Sequence, residues 1–456
     1  MKNLVRTLAS LFALAPLASA FAGGSIKTDI NGIPLHWEGN IVFNADKGGL
    51  KNNNDAYNHA NTVQIINEAF GAWIGVLAPV GGGISFSEGE GIPVDADDVD
   101  GGNYFQFFGI GKDDCYDDDP ETSCVSPIIF DADGEIIDDL FGSCAKFSIL
   151  GFAGFDDIED GSGDPVKAIV RRGQALFSGA CLEPAEAKAG CGSCKRLLSD
   201  QEARTIITHE IGHLLGMDHS QVNPESFLSC IRSGGCGSDV AQDIPTMFPI
   251  LVEGSAMLDL HQDDIAYFQR LYGNPNQGFC SVTGQVLASD GQTGVRGVEV
   301  VARNIDTSLR SIDAMSFVSG AEAPRLTNIS KRQGNCKSGC GDFELTGLNP
   351  GQTYQICVQH ILSQFSRGSS IEPLDPPFQG IDDACPEGLT VTCSCPGGGS
   401  CPNISGVNIL TEVDPGSLDD GSDQDPQIVD PDGGSGGCSL TPQRPTKVWP
   451  ALIRSS

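Results

Sequence analysis

Apolar residues fall at helical spacing in two stretches of the chain and alternate or bunch in several shorter ones. Val63, Ile66, Phe70 and Trp73 share one helical face, with Thr62 as the candidate N-cap. Gly81-Gly82-Gly83 then breaks the chain, and Ile84-Ser85-Phe86-Ser87 alternates as a short strand does. Ile149 to Phe155 and Ala168 to Phe177 are apolar runs flanked by glycine and are expected to be strands. The second helix starts at Ser199-Asp200-Gln201-Glu202, a capping box in which Glu202 reaches back to the capping serine. Ala203, Ile206, Ile207, Ile211, Leu214 and Leu215 supply its buried side, and Gly216 is the expected stop. From Cys280 the pattern shortens to β-type runs: Val282 to Leu287, Val298 to Ala302, Phe343 to Leu345 and Tyr354 to Val358. Asn349-Pro350-Gly351 makes a turn between the last two. Beyond Thr411 the chain is acidic, rich in Gly, Pro and Ser, and expected to be disordered.

Composition adds a compartment. Lys2 and Arg6 precede an apolar run from Leu8 to Leu17, and small residues at 18–22 suit a signal peptidase. That run is too short to span a bilayer, and no later stretch is expected to do so. Seventeen cysteines agree with export. Cys115/Cys124, Cys191/Cys194, Cys230/Cys236, Cys336/Cys340 and Cys393/Cys395 are close enough in sequence to be disulfide partners, with connectivity left open. The odd count leaves a thiol over, and Cys438 is the candidate. A formal charge of -33 repels nucleic acid and anionic lipid, so neither is an expected partner. Aspartates cluster at 95–100, 113–119 and 131–139, and Asp131-Ala132-Asp133-Gly134 opens like a calcium loop. Ca2+ is therefore a candidate second cofactor, with plain solvated acidic loops as the other reading.

The chemistry concentrates in the second helix. His209-Glu210-Ile211-Gly212-His213 sets two imidazoles four residues apart, on one helical face, where both can reach one cation. Glu210 follows the first ligand and lies beside the metal, placed to take a proton from water. Gly216 lets the chain leave the helix sharply, and His219 can swing back as a third ligand. Three protein ligands leave one tetrahedral position open, as in catalytic rather than structural zinc sites.

The run from His209 to Ser220 (HEIGHLLGMDHS) resembles the zinc signature of the metzincin peptidases, the matrixin branch in particular. Thr246-Met247-Phe248-Pro249 is similar to their Met-turn, and Asp259 to Gly273 to their C-terminal helix. Ala69-Phe70-Gly71-Ala72-Trp73 with Ile84-Ser85-Phe86 resembles their first helix and second strand, so the likeness covers about Ile33 to Gly273. It implies an α+β catalytic domain, a twisted mixed sheet with three main helices, one catalytic Zn2+ on His209, His213 and His219, and Met247 as an apolar floor beneath it. It also implies a secreted endopeptidase, with Glu210 as general base and an extracellular protein or peptide as substrate. The substrate is expected to lie extended along an edge strand near Ile149 to Ala153. Three departures stand out. No cysteine precedes Cys115, so no thiol latch is expected. Upstream of the motif only His36 and His59 occur, so no second structural zinc is expected. Phe248 stands where a tyrosine is common.

Gly284-Gln285-Val286, Gly297 to Val300 and Gly341 to Gly351 resemble the carboxypeptidase regulatory-like, transthyretin-like β-sandwich. An immunoglobulin-type sandwich has similar strand spacing. The expected organisation is a signal peptide over 1–22, the catalytic domain over 23–275, a small all-β sandwich over 279–395 and an acidic tail over 396–456. The Gly-rich stretch around Cys438 faintly resembles a bacterial sorting tail without its apolar helix, and Asn328 and Asn403 head glycosylation sequons. The competing functional reading is a catalytically weak, zinc-holding adhesion protein.

Overall fold

In a computed structural model of the chain the described residues are 24–26, 33–51, 54–92, 98–107, 126–160, 168–183, 194, 197–220, 222–233, 236, 240, 242–252, 257–274, 277–321, 341–359, 361, 389–395, 400–416 and 418. The expected signal peptide, the aspartate run at 113–119, the pairs Cys115/Cys124 and Cys336/Cys340, the sequon at Asn328 and Cys438 lie outside them. The described chain is α+β.

Its first sheet runs in the order β1-β6-β4-β2-β3, with β5 on the other side of β6. The strands are β1 (His36–Trp37), β2 (Asn40–Ala45), β3 (Ser85–Glu88), β4 (Ser126–Asp131), β5 (Gly151–Asp160) and β6 (Ala168–Ser178). The ladders along the main path are parallel, and β5 alone in this sheet pairs antiparallel. Among the described residues β5 is thus an edge strand, and both its run and that of β6 overlap the apolar stretches of the sequence.

The helix α1 (His59–Gly75) covers one face of this sheet because Phe70 stacks between Phe43 and Phe86, with ring centroids 5.2 and 5.0 Å away. Its N-cap is Asn58, which accepts from the Asn61 amide at 3.0 Å, and not Thr62. Thr62 lies inside the first turn, buried, and donates to the carbonyls of Tyr57 and Asn58. The segment His59–Val80 is, against expectation, long and apolar enough to cross a membrane. Yet Ile66, Phe70 and Trp73 are fully buried, and Trp73 Nε1 donates to the Thr208 carbonyl at 2.9 Å, so it serves as a core helix.

Four more helices follow: α2 (Glu135–Phe141), α3 (Asp200–Leu214), α4 (Pro224–Ser233) and α5 (Gln262–Tyr272). Beyond them lie two sheets, one ordered β10-β7-β13 and the other β12-β11-β8-β9. Their strands are β7 (Cys280–Leu287), β8 (Glu299–Asn304), β9 (Ala314–Val318), β10 (Asp342–Leu348), β11 (Thr353–Gln359), β12 (Thr390–Thr392) and β13 (Asn403–Leu410). β13 falls in the segment read as tail, yet it pairs in parallel with β7 from Asn403 to Leu410. The Cys280–Cys393 disulfide links the two sheets.

One apolar core runs through both halves of the described chain. The helix α5 joins them. Tyr267 and Phe268 belong to that core together with Phe317 and Leu345 of the β module. Arg270 donates to Glu344 Oε2 from Nε and Nη2 at 3.0 and 2.8 Å. Gly347 carries φ 77°, and a Cβ there would stand 2.5 Å from that of Ala266, so glycine lets β10 approach the helix.

The cysteine pairings are corrected in two places. Cys194 bonds Cys181 rather than Cys191, and Cys393 bonds Cys280 while Cys395 bonds Cys401. Proximity in sequence failed here because strands bring distant cysteines together. Cys230–Cys236 forms as expected. Several disulfides in one chain fit an oxidising compartment.

Candidate metal centre

The motif helix forms for the reasons its sequence carries. Ser199 Oγ accepts from the Glu202 amide, and Glu202 Oε2 accepts from the Ser199 amide at 2.8 Å, completing the capping box. Ile207, Ile211 and Leu214 are buried in the core. At the other end the open carbonyls find donors: Trp37 Nε1 reaches Leu214 O and the Tyr272 hydroxyl reaches Leu215 O, both at 2.7 Å. Gly216 then turns the chain with φ 91°, and a Cβ on it would meet Phe155 Cζ at 2.9 Å. Any other residue would be strained there both by backbone and by contact.

The turn returns His219 to the helix. The Nε2 atoms of His209 and His219 each lie 3.1 Å from that of His213. His209 Nδ1 bonds the Thr246 carbonyl at 2.7 Å, and His213 Nδ1 bonds the Met217 carbonyl at 2.8 Å. A carbonyl only accepts, so both Nδ1 atoms carry the proton and both Nε2 atoms are left with lone pairs aimed at one point. Three buried nitrogens facing one another repel unless a cation lies between them. Ligands about 2.0–2.1 Å from a tetrahedral zinc ion stand about 3.3 Å apart, close to the spacing here. Burial, followed by the mutual influence of the neighbouring rings, pushes the pKa of His213 and His219 well below the ordinary histidine value. Burial brings His209 to about 4. All three imidazoles are thus neutral ligands near pH 7. The triad can hold a metal ion.

Glu210 is buried beside the triad, with its pKa raised well above the usual carboxylate range by desolvation. Its Oε2 has no hydrogen-bond partner among the described residues. Gly151, which opens edge strand β5, makes room for it: a Cβ there would lie 3.0 Å from Glu210 Cγ. A buried acceptor without a donor marks a place for water or a polar ligand. The expected substrate strand and the carboxylate are thus adjacent.

Met247 is fully buried. A Cβ on Gly212 would meet its Sδ at 2.4 Å, so the methionine lies directly on the backbone of the motif helix. The segment around it is held by α5. Asp264 Oδ2 accepts from the Thr246 amide at 2.8 Å and its Oδ1 from the Met247 amide at 3.2 Å. The same carboxylate accepts from the His261 amide at 3.0 Å, while His261 Nδ1 accepts from the Asp263 amide at 3.1 Å. Asp264, His261 and Gly212 escaped the sequence reading. The His261-x-x-Asp264 spacing at a helix start was the available signal, since it is a capping box built with histidine in place of serine.

Other candidates resolve differently. Asp131, the head of the presumed calcium loop, directs its carboxylate to the amides of Ile136 and Ile137 at 3.3 and 2.9 Å and so caps α2. Among the described residues no three carboxylates converge within 4.8 Å. His36 Nδ1 bonds Pro34 O and His59 Nδ1 bonds Asp46 O. The sulfurs of Cys280, Cys393, Cys395 and Cys401 also cluster within 4.8 Å, but they are joined as two disulfides. Phe248 packs against Phe227 of α4, with ring centroids 4.8 Å apart and the rings tilted, in a small apolar cluster with Ile244 and Val252. Compared with known proteins, the chain matches no family model and no curated sequence.

Proposed function

We propose that this chain is an exported zinc-dependent endopeptidase of the metzincin type, carrying its catalytic site on His209, His213, His219 and Glu210. One observation carries the reading: two imidazoles fixed with bare Nε2 atoms, a third brought to 3.1 Å of His213 Nε2 by a glycine turn, and a buried oxygen of Glu210, the residue after the first imidazole, left without a partner among the described residues. The spacing HExxHxxGxxH and the buried Met247 support the family likeness, and the two C-terminal sheets support the transthyretin-like sandwich. The disulfides support export.

A zinc ion held by the triad supplies Lewis acidity, which polarises a peptide carbonyl and acidifies water to a pKa of about 7. The remaining work falls to side chains and backbone of the chain. The edge of β5 offers main-chain donors and acceptors to an extended polypeptide, which positions the scissile bond over the site. Glu210 takes the proton from the attacking water and delivers it to the leaving nitrogen. Its apolar surroundings raise its basicity for the first transfer. No covalent acyl intermediate is required, since water is the nucleophile.

The test uses the full chain, with zinc measured per chain and cleavage of an unfolded protein followed with and without chelator. Glu210→Ala keeps the three nitrogens, so zinc content stays at one per chain while cleavage falls by about 10²- to 10⁴-fold. Equal cleavage by the variant would remove the mechanism. Full zinc with no cleavage by the unaltered chain would favour the zinc-holding adhesion protein instead.

A further inference from the structure

The three ligands are not held alike. His209 and His213 each lock their rings by donating from Nδ1 to a carbonyl. His219 Nδ1 is buried and has no hydrogen-bond partner among the described residues. A ligand whose second nitrogen is unbonded depends on its backbone for aim. After His219 the Ser220 amide donates to the Met247 carbonyl at 2.9 Å, and the side chains that follow reach the β module behind.

Ser220, the next residue, donates from Oγ to Asp263 Oδ2. Asp263 in turn accepts from the Ser316 amide at 2.5 Å and from Ser316 Oγ at 3.1 Å, both on β9. Val222 is fully buried against Val301 of β8 and Ala314 of β9. Asn223, in the left-handed region at φ 63°, donates from Nδ2 to the Asp243 and Ser311 carbonyls at 2.7 and 2.8 Å and accepts from Arg303 Nη1 of β8 at 2.5 Å. Ser311, in the β8–β9 loop, takes a second donor from His261 Nε2 at 2.9 Å. Three of the four positions after the ligand, Ser220, Val222 and Asn223, therefore reach the module, through two polar links and one apolar one. Arg303 is 8 % exposed and also holds Gln359 on β11, so this anchor belongs to the module's own sheet.

We infer that the C-terminal β module is a working part of the metal centre: Ser316 and Arg303 are positioning residues that aim His219. The inference rests on the metal-site reading above and adds to it a role for a module that an adhesive or spacer function would leave unconnected to zinc. Its consequence is that changes in the module, without contact to a ligand, weaken metal binding.

The test measures zinc dissociation constants of full-chain variants by competition with a chromogenic chelator, together with the visible spectrum of the cobalt-exchanged protein. Arg303→Met and Ser316→Ala combined should weaken zinc binding by about tenfold or more, as loss of outer-shell support does, and should alter the cobalt spectrum. Arg303 kept and Ser316→Thr, which retains amide and hydroxyl, should bind as the unaltered chain does. Arg270→Met is the control: it breaks the Arg270–Glu344 pair and the contact with the Phe317 ring across the same interface, leaving Arg303 and Ser316 in place. It should lower the unfolding midpoint and leave zinc affinity unchanged. Zinc affinity equal in all variants, or lowered as much by Arg270→Met as by the double variant, overturns the module's role while leaving the metal centre standing. No zinc uptake by the unaltered chain overturns both.

Discussion

Gly212 and Gly216 serve the same helix in opposite ways. Gly216 supplies a backbone angle, whereas Gly212 supplies space, because Met247 Sδ and Trp73 Cζ2 would lie 2.4 and 2.7 Å from any Cβ placed there. Gly212→Ala should therefore cost about 1–3 kcal/mol by overpacking. Urea unfolding of the zinc-free protein measures it, and an unchanged midpoint would mean that Met247 moves aside freely. A second residue-scale effect sits at the module interface. Burial first, against the hydrogen bond from Gln359, raises Glu299 to about 8. The folded chain thus keeps a proton that the unfolded chain has released from about pH 4.5 upward, so this group's stabilising contribution is present at low pH and is lost as pH climbs through about 8. Asp264, raised by burial to about 7, acts in the same direction. Above about pH 7.5 the histidines of the unfolded chain have also lost their protons, and the Glu299 carboxyl then sets the slope. Stability of the zinc-free protein should fall between about pH 7.5 and 8.5, and Glu299→Gln should flatten that fall. A variant with the same slope as the parent would place the titration elsewhere.

At the scale of elements, α3 shows how local signals and tertiary contacts divide the work. Its start is chemical and local: Ser199→Ala removes the acceptor for the Glu202 amide and should cost about 1 kcal/mol of stability, read from the denaturation midpoint, with zinc stoichiometry unchanged. A loss near zero would mean that packing alone holds the helix start. Its end is tertiary, held by Trp37 and Tyr272 from remote parts of the chain. The sequence could announce the capping box, the periodic face and the glycine stop because these act within a few residues. β5, β6, β7, β8, β10 and β11 were legible for the same reason. β4 was not, because Ser126–Asp131 is buried on both faces and so lacks alternation. β13 was hidden because it is an edge strand, mostly exposed and carrying Gly406 at φ 78°. α4 begins at Pro224 after Asn223 in the left-handed region, a helix start that was there to be read. That His209, His213 and His219 come together was legible. What lies behind His219 was not, since Arg303 and Ser316 lie 84 and 97 residues beyond it and no local pattern joins them.

At the scale of the whole molecule, the candidate metal centre lies where the pieces meet. The motif helix, the segment around Met247, α5 and the β module converge on a few buried nitrogens and carboxylates. A cation bound there stabilises the folded chain against the unfolded one, by about 4 kcal/mol when free zinc is a thousandfold above its dissociation constant. Chelation should therefore lower the unfolding midpoint, and excess zinc should restore it. A midpoint indifferent to chelator would mean that the three imidazoles hold no ion. The module that shapes this junction closes late. β7 opens it at Cys280, yet its parallel neighbour β13 runs from Asn403 to Leu410, more than a hundred residues downstream. Chains emerge from the ribosome N-terminus first, and non-local pairings form slowly because loop closure must precede any reward. A growing polypeptide thus carries every histidine of the motif long before the sheet that steadies His219 can be completed. Timing is built into the strand order: the sheet that reaches the His219 loop can close only at the end of synthesis.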